Sequence, residues 1–218
     1  MLKYCIKLLL ITWLVTSCTK DGKNITVQGR VYNPVTGEGI SDCEIRLVKE
    51  SLELPGGNKT VLTVYPDANG YFELNHTSIS ARYVGCFFDN EKYDEIGWIQ
   101  DGQNIGNSLV PVKRGKFTYL DCQAVTYGSI KINIYNVNCE GASDHINLER
   151  NYRHDLNNPV YLPIDLYDCY NAEGVPAKVP MGYYDLKWTV TKPSTGTQTF
   201  TAEVFVPENG IGEYTINY

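Results

Sequence analysis

The chain has 218 residues and a net charge of −6, with 25 acidic against 19 basic side chains. That balance argues against nucleic acid as a partner, because proteins that bind its phosphates present clustered lysine and arginine. Tyrosine is abundant at 17 residues, helix-like apolar spacing is rare, and turn residues recur at short intervals. This combination is typical of all-β proteins, and the length allows one large or two small domains.

The N-terminus predicts a secretory signal. Lys3 and Lys7 precede an apolar run from Leu8 to Val15. The run is far shorter than the roughly 20 residues that a membrane-spanning helix needs. A charged start, a short apolar core and small residues after it describe a signal peptide over residues 1–17, which takes no part in the fold.

Cys18 adds a second feature to this signal. The stretch Leu14-Val15-Thr16-Ser17-Cys18 resembles the lipobox of bacterial lipoproteins, in which the cysteine receives lipid. The resemblance implies cleavage before Cys18, a membrane partner through its lipid and a polar tether over residues 18–23. Thr19 follows instead of Asp, which favours the outer membrane of the cell envelope. The alternative is an ordinary signal with a chance cysteine.

The C-terminal half predicts strands that each bury one face. Apolar residues alternate with polar ones at Ile130, Ile132, Ile134; Leu186, Trp188, Val190; Phe200, Ala202, Val204, Val206; and Tyr214, Ile216, Tyr218. Lys192 to Gly196 reads as a hairpin loop, and Pro163 marks an edge strand. Two sheets packed face to face bury such strands economically, so we expect an immunoglobulin- or fibronectin-like sandwich over residues 124–218.

The N-terminal half carries a pattern of turn glycines between alternating strands. Its members are Gly29, Val31, Gly37, Ile40, Cys43, Ile45, Leu47, Asp67, Gly70 and Phe72. Over roughly residues 24–90 this pattern resembles the carboxypeptidase regulatory-like domain, a transthyretin-like β-sandwich. The resemblance implies a first sandwich over residues 24–123, with its last strand from Phe117 to Gln123. It also implies a non-catalytic module, because in the carboxypeptidases this domain supplies no zinc ligand and no base.

Catalytic motifs are absent from the sequence. The three histidines, His76, His145 and His154, lack the spacing of a zinc peptidase, and neither a Gly-x-Ser-x-Gly elbow nor a phosphate-binding loop occurs. Asp67 to Gly70 resembles the start of a calcium loop, but the later ligands are missing, which favours a simple turn. We therefore expect a protein that is not an enzyme and needs no cofactor or metal. Paired carboxylates assembled by the fold stay open, and with them an unrecognised hydrolase.

Cys139 and Cys169 are candidates for a disulfide, since an exported chain reaches an oxidising compartment. The alternative is that both are free thiols. Cys43 alternates with Ile45 and Leu47, and we interpret it as a small apolar core residue.

The segment from Asp89 to Pro111 is the sequence-based candidate for a binding loop. Tyr93, Trp98, Asp101 and Asn104 combine aromatic rings with a carboxylate and an amide, which suits carbohydrate recognition if they are exposed. The alternative is that Tyr93 or Trp98 folds back as a hydrophobic plug.

Three functions follow from these patterns. The first is a non-catalytic envelope lipoprotein that binds a protein partner or contributes to an assembly. The second is a glycan-binding accessory lipoprotein of a starch-utilisation-type system, for which an open aromatic platform is required. The third is the unrecognised hydrolase, for which a deep pocket with convergent titratable groups is required.

Overall fold

The computed structural model describes residues 24–51, 57–77, 84–106, 109–154 and 163–218. The predicted signal, Cys18 and the tether lie outside these residues. All regular elements in the described ranges are β-strands, so the predicted all-β class is confirmed. No helix in those ranges is long and apolar enough to cross a membrane.

The first ten strands form two sheets. Their bounds are β1 Asn24–Tyr32, β2 Glu44–Ser51, β3 Gly57–Val64, β4 Tyr71–Thr77, β5 Val84–Asp89, β6 Asp94–Gln100, β7 Gln103–Asn104, β8 Val110–Pro111, β9 Phe117–Tyr119 and β10 Asp121–Val125. One sheet has the order β4-β1-β10-β6-β7, with β9 also paired to β1, and the other has the order β3-β2-β5-β8. The expected last strand is present as β9 and β10, which both run parallel to β1.

The core of this first sandwich lies between the two sheets. Strand β1 alternates strictly, with Ile25, Val27 and Val31 buried. These side chains pack with Ile45 and Leu47 of the facing sheet in one hydrophobic cluster. Because apolar residues recur at every second position, each strand turns its apolar side chains to one face. That face of each sheet lies in the core, as a sandwich requires.

A tight turn at Asp67 to Gly70 carries the chain from one sheet to the other. The Asp67 carboxylate accepts hydrogen bonds from the backbone N–H groups of Asn69 and Tyr71 at 2.8 and 2.9 Å. Gly70 has a φ of 85°, and a Cβ atom there would lie 2.1 Å from the carbonyl oxygen of Val31. Only glycine fits this position, and the carboxylate serves the turn, as the turn interpretation of the motif expects.

The remaining strands form a second pair of sheets. Their bounds are β11 Tyr127–Tyr135, β12 His145–Tyr152, β13 Ile164–Tyr167, β14 Asn171–Ala172, β15 Ala177–Pro180, β16 Gly182–Lys192, β17 Gly196–Val206 and β18 Ile211–Asn217. One sheet has the order β14-β11-β15, with β18 parallel to β11, and the other has the order β13-β12-β16-β17. Pro163 directly precedes the edge strand β13, and Lys192 pairs with Gly196 across the predicted hairpin loop.

The second sandwich has its own hydrophobic cluster, which includes Ile130, Ile146, Leu186 and Ile216. Only Thr126 separates β10 from β11. At this junction the Asn33 side-chain amide donates a hydrogen bond to the sulfur of Met181 at 3.3 Å. Two tandem sandwiches, each with a separate core, are therefore the architecture of the described chain.

Candidate functional site

The segment from Asp89 to Pro111, which the sequence predicts to be a binding loop, contains regular β-strands. Strand β6 occupies its centre and pairs with β10, so that Trp98 lies opposite Cys122. A short hairpin then joins β6 to β7, with Asp101 in the turn at a φ of 51°. The segment is mostly part of a sheet, because it supplies the strand that extends the sheet beyond β10.

The predicted binding residues of this segment do not form an aromatic platform. Trp98 has 0% of its surface exposed and belongs to the first core. Tyr93 is half-buried against that core, and its hydroxyl donates to the Asp42 carboxylate. Asp101 is exposed at the hairpin turn, and Asn104 is half-buried. Trp98 therefore follows the alternative interpretation, in which the side chain folds back into the hydrophobic core. It is not available to a ligand, although it was the main residue of the predicted binding loop.

Glu95 also lies on β6, but the sequence patterns did not single it out. Burial raises its pKa to about 7, against an opposing interaction with Trp98. Neither Glu95 Oε1 nor Trp98 Nε1 has a hydrogen-bond partner among the described residues. Burial of a carboxyl favours its neutral form, which is a cost to folding at neutral pH and not by itself a site.

The four cysteines whose side chains the structure describes divide into a cross-linked pair and two core residues. Cys139 and Cys169 form a disulfide with their Cα atoms 5.3 Å apart. Asp168 lies close to both sulfurs, but sulfurs that are bonded to each other are not thiolate ligands for a metal. Cys43 and Cys122 are buried free thiols, and burial raises the pKa of Cys43 to about 12. They are core residues, as the alternation of Cys43 indicated.

A cleft opens on the second sandwich between two edge strands that belong to different sheets and are not paired with each other. Strand β17 is the edge of one sheet and β18 lies at the edge of the other. Residues 196–201 of β17 are exposed, although β16 alongside them buries every second side chain. The facing sheet covers β16 and the C-terminal part of β17, where Val204 and Val206 are buried, but it leaves the inward face of residues 196–201 open to solvent.

Aromatic side chains line this cleft. Phe200 lies directly opposite Trp188 in the β16–β17 ladder, with ring centroids 5.7 Å apart and planes at 21°. Trp188 is 7% exposed, whereas Phe200 is 42% exposed on a face that is otherwise turned towards the core. Tyr214 of β18 approaches Trp188 from the other side at 5.9 Å. The cleft therefore presents one open ring, Phe200, next to the buried Trp188 and the half-buried Tyr214.

Polar groups surround the aromatic floor. Gln198 lies opposite Val190 on the same inward face, and Asn217 and Lys192 line the far side. Glu140 accepts hydrogen bonds from the backbone N–H of Ser194, at 2.8 Å, and from its hydroxyl. The cleft encloses about 380 Å³. A concave apolar surface of this size with a few fixed polar groups is the usual form of a ligand site.

Sequence reasoning identified Trp188 and Phe200 but assigned both to the buried face of a strand. The alternation correctly shows that they point the same way. Exposure of Phe200 depends instead on how far the opposite sheet extends, which is a property of strand pairing between distant segments. The local signal that could have been used is the polar Gln198 at an inward position beside Phe200.

The His145–Asp165 pair is the clearest acid–base contact outside the cleft. The ring nitrogen Nε2 lies 2.7 Å from the carboxylate, which also accepts a hydrogen bond from Asn147. Tyr167 stacks on the imidazole with ring centroids 4.5 Å apart. These partners, on β12 and the edge strand β13, join the two strands across their ladder, which is a structural role.

Comparison with known proteins gives a likeness of fold. No protein-family model matches the chain, and no curated protein sequence matches it either. Among solved structures, the Bacillus anthracis TIE protein is 12% identical with a TM-score of 0.33, and the alignment covers 89% of this chain and 33% of that one. A leucine-rich repeat protein from Bacteroides thetaiotaomicron is 13% identical with a TM-score of 0.25, over 90% and 26% of the two chains. The chain thus spans about a third or less of these two proteins.

A third solved structure is similar over its whole length. It is a DUF3823 family protein from Bacteroides uniformis, 13% identical with a TM-score of 0.31, for which the alignment covers 84% of this chain and 100% of that one. Such low scores do not carry function from one protein to another. Any function must therefore be argued from the chain's own surface.

Proposed function

We propose that the chain is a non-catalytic binding module of the cell envelope, held on a membrane by lipid at Cys18, with its ligand in the aromatic cleft. The observation that carries the proposal is Phe200, an aromatic ring left 42% exposed on the inward face of a sandwich strand. Fully burying such a side chain contributes about 1.5 to 3 kcal/mol. A ligand that covers the ring gains part of this free energy, which the fold itself leaves unused.

The proposal assigns a different role to each of the two sandwiches. The first, over residues 24–123, is a carboxypeptidase regulatory-like spacer next to the lipid, and the second, over residues 124–218, carries the cleft. The close backbone approach at Gly70 and the burial of Cys43, Ile45 and Phe72 support the resemblance. The lipobox-like stretch ending at Cys18 supports the anchor and a place in the outer membrane.

Glycan is a second candidate for the ligand, although the residues first predicted for it are buried or tied to the core. Sugar rings stack on exposed aromatic faces, and their hydroxyls need donors and acceptors nearby. Phe200 offers the ring, and Gln198 and Asn217 at the cleft wall offer the amides. A protein partner, which inserts an apolar side chain over the same ring, is the first candidate.

The test compares two phenylalanines of β17. Phe200 lines the cleft, whereas Phe205 is equally exposed at 42% but packs beside Tyr183 away from the cleft. The chain from Asn24 onward is sedimented with isolated envelopes that lack the native protein. We expect Phe200→Ala to weaken binding about tenfold, the loss of about 1.4 kcal/mol, and Phe205→Ala to bind like the wild type.

Two treatments of the envelopes identify the ligand class. Protease digestion removes a protein partner, and periodate oxidation removes a glycan. Equal binding by the Phe200→Ala and Phe205→Ala proteins would show that the cleft is not the site. The two variants should unfold within roughly 0.5 to 1 kcal/mol of each other, because the two rings are equally exposed at 42%.

A further inference from the structure

A lysine, an asparagine and an aspartate meet inside the second sandwich, at the end next to the cleft. Lys192 ends β16, Asn136 follows β11, and Asp144 precedes β12. Their exposed fractions are 7%, 5% and 0%. Since β11 and β16 belong to opposite sheets, the three side chains bridge the two layers of the sandwich.

The geometry aligns an amine with a carboxamide. Lys192 Nζ lies 2.8 Å from Asn136 Oδ1, and a second hydrogen bond of 2.7 Å to the carbonyl oxygen of Asn138 fixes the amine there. The Tyr218 ring closes the other side, 5.2 Å from Nζ. Burial keeps bulk water away from the amine, and the two hydrogen bonds hold it directly against the carboxamide, so that the nucleophile and its electrophile are already positioned.

Asp144 is placed to move protons between the two groups. Its Oδ2 accepts a 2.8 Å hydrogen bond from Asn136 Nδ2 and lies 3.7 Å from Lys192 Nζ. One carboxylate oxygen thus faces both the nitrogen that would attack and the nitrogen that would leave. Hydrogen bonds from the Asn136 amide and the backbone N–H of Glu140 hold the pKa of Asp144 below its usual value, so that the group begins as a carboxylate. Its other oxygen is buried without a partner among the described residues.

We propose that Lys192 and Asn136 form an intramolecular isopeptide bond, with Asp144 as the proton carrier. The Lys192 ammonium gives a proton to Asp144, and the free amine attacks Cγ of Asn136. The Cγ–Nδ2 bond breaks as Asp144 protonates Nδ2, and the departing nitrogen leaves as ammonium with the two protons that Nζ has lost. Asp144 ends as a carboxylate, as it began. No oxidant, reductant or co-reactant is needed.

The bond would cross-link the two sheets of the second sandwich. It closes a loop between residues 56 positions apart in sequence, which encloses the Cys139–Cys169 disulfide. Both links lie at the end of the sandwich that holds the Lys192 side of the cleft. Unlike the disulfide, an amide survives reducing conditions. This modification does not depend on what the cleft binds.

The test is peptide mapping of the full chain, purified from membranes, reduced, alkylated and digested with trypsin. Cleavage after Lys131, Arg150 and Lys187 places Asn136 in peptide 132–150 and Lys192 in peptide 188–218, because Pro193 blocks cleavage after Lys192. We expect one branched species with the summed mass of these peptides less one ammonia, and fragment ions that place the link at Asn136 and Lys192.

Single-residue variants test the role of each residue in forming the bond. Lys192→Arg and Asn136→Ala should each abolish the branched species, and Asp144→Asn should lower its yield at least tenfold. Asn138→Ala is the matched control, since Asn138 contributes only its backbone carbonyl to Lys192, and should keep the link. Separate, unmodified peptides 132–150 and 188–218 from the wild-type protein would overturn the proposal even if a variant fails to fold. An undiminished link in Asp144→Asn would overturn the proton-carrier role.

Discussion

Glu95 is a charged residue that the fold places in an unfavourable position. Its carboxyl is partly buried beside Trp98, and burial raises its pKa from the ordinary 4.5 to about 7. A folded-state pKa above the unfolded value means that folding favours the protonated form. The associated stability is fully present below pH 4.5 and is lost as the pH rises to about 7, above which the folded protein carries the cost of a buried charge.

Substituting Glu95 by glutamine should remove this pH dependence. At pH 4 the Glu95→Gln protein and the wild type should unfold with similar free energies, since both side chains are neutral. At pH 8 the variant should be more stable by about 1 to 2 kcal/mol, less than the full pKa shift implies because the carboxyl is partly solvated. Urea melts at the two pH values measure this difference. Glu91→Gln, an exposed position, is the control, and a similar change there would show that Glu95 has no special role.

Trp98 shows that the residues next to a side chain in sequence do not determine whether that side chain is buried. Its neighbours Gln100, Asp101 and Asn104 are polar, which made an exposed loop a reasonable interpretation. The side chain is nevertheless buried, because β6 pairs with β10 and turns this residue to the core. A pairing partner more than 20 residues away decides its environment, and composition does not reveal it.

At the scale of elements, alternation was a dependable guide. The alternation predicts strands at β11, β16 and β18, and the structure has these strands, the hairpin loop from Lys192 to Gly196 and the last strands of the first sandwich. Pattern alone could not show that β17 extends past the opposite sheet. The extent of overlap between sheets is set by the register of non-local strands, and the cleft depends on it.

The Cys139–Cys169 disulfide is an element-scale constraint that can be measured. It joins the segment after β11 to the turn between β13 and β14, across a sequence separation of 30 residues. Closing a loop of that size contributes about 3 to 4 kcal/mol by constraining the unfolded chain. We expect the Cys139→Ser, Cys169→Ser double variant to lose about this much in denaturant melts.

Reducing agent provides the control for the disulfide. It should lower the stability of the wild-type protein to that of the double variant and leave the variant unchanged. A wild-type unfolding midpoint that does not respond to complete reduction, verified by thiol counting, would contradict a stabilising role for this bond.

At the scale of the whole molecule, two sandwiches in tandem follow from the sequence because each half buries one face of several alternating strands. The proposed binding surface does not follow in the same way. It forms between β17 and β18, which pack at the open edges of two different sheets. Such a surface is a product of topology, and motif searches miss it because its residues belong to no motif.

The central claim is that ligand binds in the cleft of the second sandwich and not at the β6–β7 hairpin of the first. A photoreactive amino acid placed in the full chain at Gln198 or at Asp101, two exposed positions, separates these sites in the native envelope. After illumination, we expect adducts at position 198 that disappear when Phe200→Ala is added, and none at position 101. Adducts at position 101 with none at position 198 would contradict it.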